Sequence, residues 1–95
     1  MKVLKNSKQK NVILRADEYT EPELYKMYKS GIIFCLGSLN QELEFENEYD
    51  IDIFQHTFRV PLKICKELKV IYNREYDFYE NVAITNDGMT LPVIL

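Results

Sequence analysis

The sequence predicts one small α+β domain: a mostly antiparallel sheet of five to six strands with one short helix at about 20–30. Three observations carry this. From Glu42 to Ile53 polar and apolar side chains alternate almost without fault. Thr20 to Gly31 has the start and stop signals of a helix. Two-residue periodicity returns at Phe58–Ile64 and again between Tyr76 and Leu95.

In chain order, residues 1–10 read as a mobile basic arm, with Lys2, Lys5, Lys8 and Lys10, ahead of a single domain over 11–95. Asn11 to Arg15 (NVILR) reads as a short buried strand. The helix follows. Thr20 is an N-cap candidate and Glu23, three residues on, completes a capping box. Tyr19 and Leu24 stand where a hydrophobic staple closes, and Pro22 falls in the first turn, where its missing N–H does little harm. Leu24, Met27 and Tyr28 form the apolar stripe, and Gly31 is the stop.

Ile32 to Leu36 is a continuous apolar run ended by Gly37-Ser38, the pattern of a central strand. In the next segment Leu43, Phe45, Tyr49, Ile51 and Ile53 share one parity, while Glu42, Glu44, Glu46, Glu48, Asp50 and Asp52 share the other. Only Asn47 interrupts the apolar set. As a strand, this segment buries one face and shows six carboxylates on the other.

Two hairpin registers compete for it. A turn at 46–48 sets Glu44 against Asp50 and Glu42 against Asp52, and like charges directly opposite are destabilising. A turn at 54–57 instead matches Ile53 with Phe58, Ile51 with Val60 and Tyr49 with Leu62, and brings Asp52 to Arg59 and Glu48 to Lys63. The second register is the expectation. It leaves Glu42, Glu44, Glu46 and Asp50 without local partners.

Phe58, Val60, Leu62 and Ile64 alternate as the next strand; the rival is a helix starting at Pro61, with Leu62, Cys65 and Leu68 on one side. Tyr76, Phe78, Val82 and Ile84 share a parity, Asn86-Asp87-Gly88 is a turn, and Met89, Leu91, Val93 and Leu95 form a last strand. Pro92 suggests that this last strand lies at an edge.

Composition bounds the function. The chain has 95 residues, of which 46% are hydrophobic and 28% charged, enough for one core. It has no apolar run long enough to span a bilayer and no signal-peptide pattern, so the expectation is a cytoplasmic protein with no membrane partner. Beginning with Met1, it reads as a complete small frame, and its Lys, Asn, Ile and Tyr usage suggests a bacterial or phage genome. Cys35 and Cys65 read as a reduced pair, not a disulfide framework. The net charge of −3 hides a dipole, with a basic arm and an acidic band over 42–52.

Catalytic, metal and cofactor readings find little support. His56 is the only histidine and reads as a loop residue; pairing it with Cys35 or Cys65 as a nucleophile needs an adjacency that no local motif supports. One His and two distant Cys lack zinc spacing, and carboxylates ~6.7 Å apart along a strand do not converge on a metal ion. Gly31, Gly37 and Gly88 are explained by turns. No catalytic residue, metal site or cofactor is therefore assigned.

The acidic face has two readings: a solvated sheet surface, or a docking face whose single-signed field steers a basic partner. Its ~33 Å length resembles one ~34 Å turn of B-DNA, but its charges are coarser than a phosphate backbone. A second candidate surface is YNREYDFY, where Tyr72, Tyr76 and Tyr79 gather with Phe78. Tyrosine is favoured at protein interfaces, and with Arg74 as its only base this patch does not suit direct nucleic-acid binding.

The expected function is a small non-enzymatic interaction protein, a regulator or inhibitor. Glu42, Glu44, Glu46, Asp50, Tyr72, Tyr76 and Tyr79 would bind a protein partner with a basic surface, such as a nucleic-acid-handling protein. The alternative is a structural or assembly subunit, for example of a phage particle, that self-associates through edge strands and the apolar tail Leu91–Leu95.

Overall fold

The computed structural model describes residues 10–95. Apart from Lys10, the basic arm lies outside the described residues. The domain is α+β, with, among the described residues, one α-helix, α1 (Glu21–Lys29), and six strands: β1 (Asn11–Leu14), β2 (Phe34–Leu36), β3 (Thr57–Pro61), β4 (Cys65–Asn73), β5 (Phe78–Thr85) and β6 (Thr90–Ile94). All pairings are antiparallel, in the order β2-β3-β1-β6-β5-β4.

Partners in register share a face of the sheet. Val12 opposite Val60, Leu14 opposite Val93, Cys35 opposite Phe58 and Ala83 opposite Leu91 therefore build one apolar face. All eight are buried in one core with Leu24 and Met27 of α1. The helix forms as its sequence dictates. The Glu23 N–H donates to Thr20 Oγ1 (3.4 Å), and the Thr20 N–H donates to Glu23 Oε1 (2.8 Å). At the other end Gly31, at φ 80°, lets its own N–H reach the Tyr28 carbonyl and the Ile32 N–H reach that of Met27. This is a complete Schellman closure.

A short link rolls the sheet. Pro61 and Cys65 are joined through one 3₁₀ turn, Leu62–Ile64. Four residues span at most ~14 Å. On a flat sheet β3 and β4, four places apart in the strand order, would stand ~19 Å apart. The sheet must curl to close that gap. The link is held at both ends: the Leu62 N–H donates to the Lys10 carbonyl and the Asn86 N–H to that of Ile64, each at 2.8 Å.

Four expectations are corrected. First, residues 42–53 are not a strand; apart from one bridge, Leu36 to Glu42, they leave the sheet, so the register against 57–64 does not form. Second, β2 is an edge strand, not a central one. Of its apolar run Ile33 and Cys35 are buried, in the same core as Leu24 and Met27 of α1 and Phe45 and Ile51 of the returning chain.

Third, β6 is central despite Pro92. The Pro92 carbonyl accepts from the Arg15 N–H (3.0 Å), so Pro92 turns its missing donor toward the end of β1. The Arg15 carbonyl is already occupied by the Glu18 N–H (3.1 Å), so no ladder bond is lost. Fourth, no helix starts at Pro61, and the strand expected over 58–64 holds only as far as Pro61: Leu62–Ile64 form a 3₁₀ turn and a new strand begins at Cys65. β4 escaped sequence reading because Lys66 to Val70 are exposed on both faces and carry no burial period.

The helix cap gives a pH-dependent prediction. Hydrogen bonds from the Thr20 backbone and hydroxyl hold the Glu23 carboxyl below its ordinary value. Its stabilisation is complete above the unfolded-state value and is lost as pH falls through the lower folded value. Thr20→Ala is expected to cost about 1 kcal/mol at neutral pH in urea unfolding. Glu23→Gln should flatten the acid limb of the melting-temperature profile.

Candidate functional site: the acidic 37–56 segment

Asn47, the one residue that breaks the alternation, explains why this segment is not a strand. Its side chain accepts the Tyr49 N–H (2.9 Å), while the Asp50 carboxylate accepts the N–H groups of Glu46 (2.9 Å) and Asn47 (3.4 Å). These bonds wind Glu48–Asp50 into a capped 3₁₀ turn. Asn and Asp side chains compete in this way with ladder hydrogen bonds. Asp50 thus has a local structural role that sequence reasoning missed.

The rest of the backbone is pinned to its neighbours. The Leu43 N–H donates to the Cys35 carbonyl (2.9 Å), the Phe45 N–H to Tyr28 Oη (3.1 Å), and Tyr25 Oη to the Glu46 carbonyl (3.0 Å). Two helix tyrosines therefore do what a neighbouring strand would have done. Phe45 and Ile51 are buried, and Leu43 and Ile53 pack against the core, as their parity predicts. Tyr49 does not: it is 88% exposed.

The expected ion pairs are absent among the described residues. Arg59 Nη1 donates to Asn11 Oδ1 (2.8 Å), because β3 lies against β1. Asp52 instead organises a turn: its carboxylate accepts the Phe54 N–H (2.9 Å), and its own N–H donates to His56 Nδ1 (3.1 Å). Lys63 sits on the link after β3 and does not pair with Glu48. Both ion pairs among the described residues use Arg15, so none of the carboxylates at 42–52 is paired.

Glu42, Glu44, Glu46 and Asp50 are all exposed. Glu42 lines a shallow groove with Lys29 and Lys63, which dilutes its charge. Glu44 and Glu46 remain the clearest carriers of the field. Sequence reasoning also missed the apolar component. Phe54 is 91% exposed and Leu39 85%, so with Tyr49 three large side chains stand out among the acids. Glu21 and Pro22, at the start of α1, line a small hollow with Glu48, Tyr49 and Ile51, which extends the acidic surface onto the helix. Parity alone places Tyr49 in the core; the Asn47-Glu48-Tyr49-Asp50 turn signal contradicts it.

Tyr72, Tyr76 and Tyr79 all lie at the tip of the β4–β5 hairpin, but the register puts Tyr72 and Tyr79 on one face and Phe78, against which Tyr76 packs, on the other. Tyr72 opposes Tyr79 with ring centroids 5.1 Å apart, and Tyr76 lies 6.3 Å from Phe78. The Tyr72 hydroxyl donates to the Asp77 carboxylate, which raises its pKa. The tip is not joined to the acidic segment. One belongs to the β4 end of the strand order and the other to the β2 end. In the strand order the acids and the tyrosines expected to share one contact face therefore belong to opposite edges of the sheet.

The cysteines and histidine take structural places. Cys35 is fully buried, which pushes its thiol up to about 12, and burial also raises that of Cys65. The His56 ring packs against Phe45 at 5.5 Å. Among the described residues no group of three or more His, Cys, Asp or Glu side chains could hold a metal ion, and no helix is long and apolar enough to cross a membrane.

Two outcomes follow. Asp50→Ala should cost about 1 kcal/mol, as loss of a cap does, while Glu44→Lys should leave the denaturation midpoint unchanged. Cys35 should resist alkylation in the native protein and label only after denaturation, read by mass spectrometry.

The chain was compared with protein-family models, with curated proteins and with solved structures, and none matches.

Proposed function

We propose that this chain is a small non-enzymatic interaction protein, a regulator or inhibitor, that docks a basic protein surface through its acidic 37–56 segment. One observation carries the reading. Glu44 and Glu46, which have no ion-pair partner among the described residues, stand in the same hydrogen-bonded segment as the exposed rings of Tyr49 and Phe54. A segment needed only for solubility has no use for exposed aromatic rings. A docking face uses both, aromatic anchors for burial and charge for steering. The backbone pins mean that little ordering is left to be done on binding.

The partner follows from the sign of the field: a protein with a basic surface, of which nucleic-acid-handling proteins are one class. Tyr72 and Tyr79, paired across the β4–β5 hairpin, form a separate contact surface. A reducing, cytoplasmic setting suits the two free thiols.

The assembly-subunit reading has one specific support, the outer edge of β4, which is unpaired among the described residues. Its C-terminal route loses ground, because Leu91 and Val93 are core residues of a central strand.

Parallel affinity capture from host extract, with wild type and Glu44→Lys/Glu46→Lys, tests the docking reading. The wild type should retain a basic protein that elutes as salt rises. The variant, with an unchanged melting temperature, should bind it about tenfold more weakly or not at all. Tyr49→Ala should weaken the same complex. Equal retention by wild type and both variants would sink the proposal.

A further inference from the structure

β4 pairs with β5 along its inner side, from Cys65 opposite Thr85 to Asn73 opposite Phe78. On its outer side no strand lies among the described residues. Every residue from Lys66 to Val70 is exposed, with Leu68 at 38% and Val70 at 57%. An edge of this length with apolar side chains is a template for another strand. Edges of this kind are usually guarded by lysines or a bulge. β4 has Lys66 and Lys69, and its one irregularity, between Cys65 and Glu67, falls at Lys66 and leaves the edge regular from Glu67 onward. Glu67 sits between those lysines and changes what they do.

We propose that the outer edge of β4 pairs antiparallel with the same edge of a second copy, about a two-fold axis through Leu68. The argument is charge complementarity. Antiparallel self-pairing about residue 68 sets Glu67 opposite Lys69 of the second copy, and Lys69 opposite its Glu67. Directly opposite side chains stand ~4.5–5.5 Å apart at Cβ, within ion-pair reach.

Other axes do worse. One through Glu67 opposes two acids, and one through Lys69 opposes two bases. An axis through Val70 brings Lys66 against Arg74 and matches no opposite charges. The Leu68 axis also centres the exposed run 66–70 on itself. It stacks Leu68 on Leu68. The interface is isologous and closes at two copies, joining two six-stranded sheets into one of twelve. One strand pair is a small interface, so the dimer is weak and concentration-dependent.

This inference extends the assembly reading and is independent of acidic docking, since Glu67 and Lys69 lie outside segment 37–56. Sedimentation equilibrium on the full chain, up to about 1 mM, is the test. The wild type should show a monomer–dimer equilibrium. Glu67→Lys and Lys69→Glu should each weaken it roughly tenfold or more, because both opposed pairs become like-charged. Mixing the two single variants restores both pairs, so a heterodimer should return, and the double swap Glu67→Lys/Lys69→Glu should dimerise like wild type. Recovery on mixing also shows that each single variant is folded.

A wild type that stays monomeric overturns the proposal. So does a dimer that survives in both single variants, or a loss that mixing does not repair. Protection from hydrogen exchange, in a monomer, of those 66–70 amides that point away from β5 would mean that the chain covers its own edge, and would overturn it too.

Discussion

The fold depends on the seam between β1 and β6. Three strands, β2, β3 and β1, lie on one side of it and three, β6, β5 and β4, on the other. The seam is short: Ile13 opposite Ile94, Leu14 opposite Val93, and the Arg15 N–H on the Pro92 carbonyl. Its strength is in its side chains. Leu14 and Val93 are buried core residues, and Arg15 reaches across to Glu80 on β5 at 3.7 Å. The Pro61–Cys65 link crosses between the same two halves and forces them to curl toward each other. A rolled sheet presents a concave apolar face, and one nine-residue helix with the 37–56 segment covers it.

That arrangement explains why the acidic segment is so firmly held without being a strand. β2 needs its outer flank covered, and the chain returning from it supplies Phe45 and Ile51 to the core. Tyr25 and Tyr28 of α1 satisfy backbone groups that a neighbouring strand would otherwise have satisfied. The polar side chains of this segment are therefore free to face outward in an irregular but fixed display. Tyr49 and Phe54 are exposed because capped turns at 47–50 and 52–56 point them away from the core.

The two surfaces differ physically. The acidic segment offers a field with aromatic anchors and suits a basic partner. β4 offers unpaired backbone and a self-complementary row of side chains, and suits an identical strand. Neither requires the other, and the strand order keeps them on different ends of the sheet.

The sequence by itself determined the elements whose information is local. The capping box of Thr20 and Glu23, the Gly31 stop and the Asn86-Asp87-Gly88 turn rest on contacts a few residues apart, and all three form. The same holds for the inward parity of Phe45 and Ile51 and for the exposure of Glu42, Glu44, Glu46 and Asp50. Tertiary structure alone decided which strands are neighbours. Burial of β2 looked the same in the sequence whether strands or a helix supplied it. Pro92 looked like an edge signal until the end of β1 proved to be its neighbour. β4 was invisible because an edge exposed on both faces has no reason to alternate. Local chemistry acts over a few residues and can be read along the chain, whereas strand order and the free edge depend on which distant segments meet.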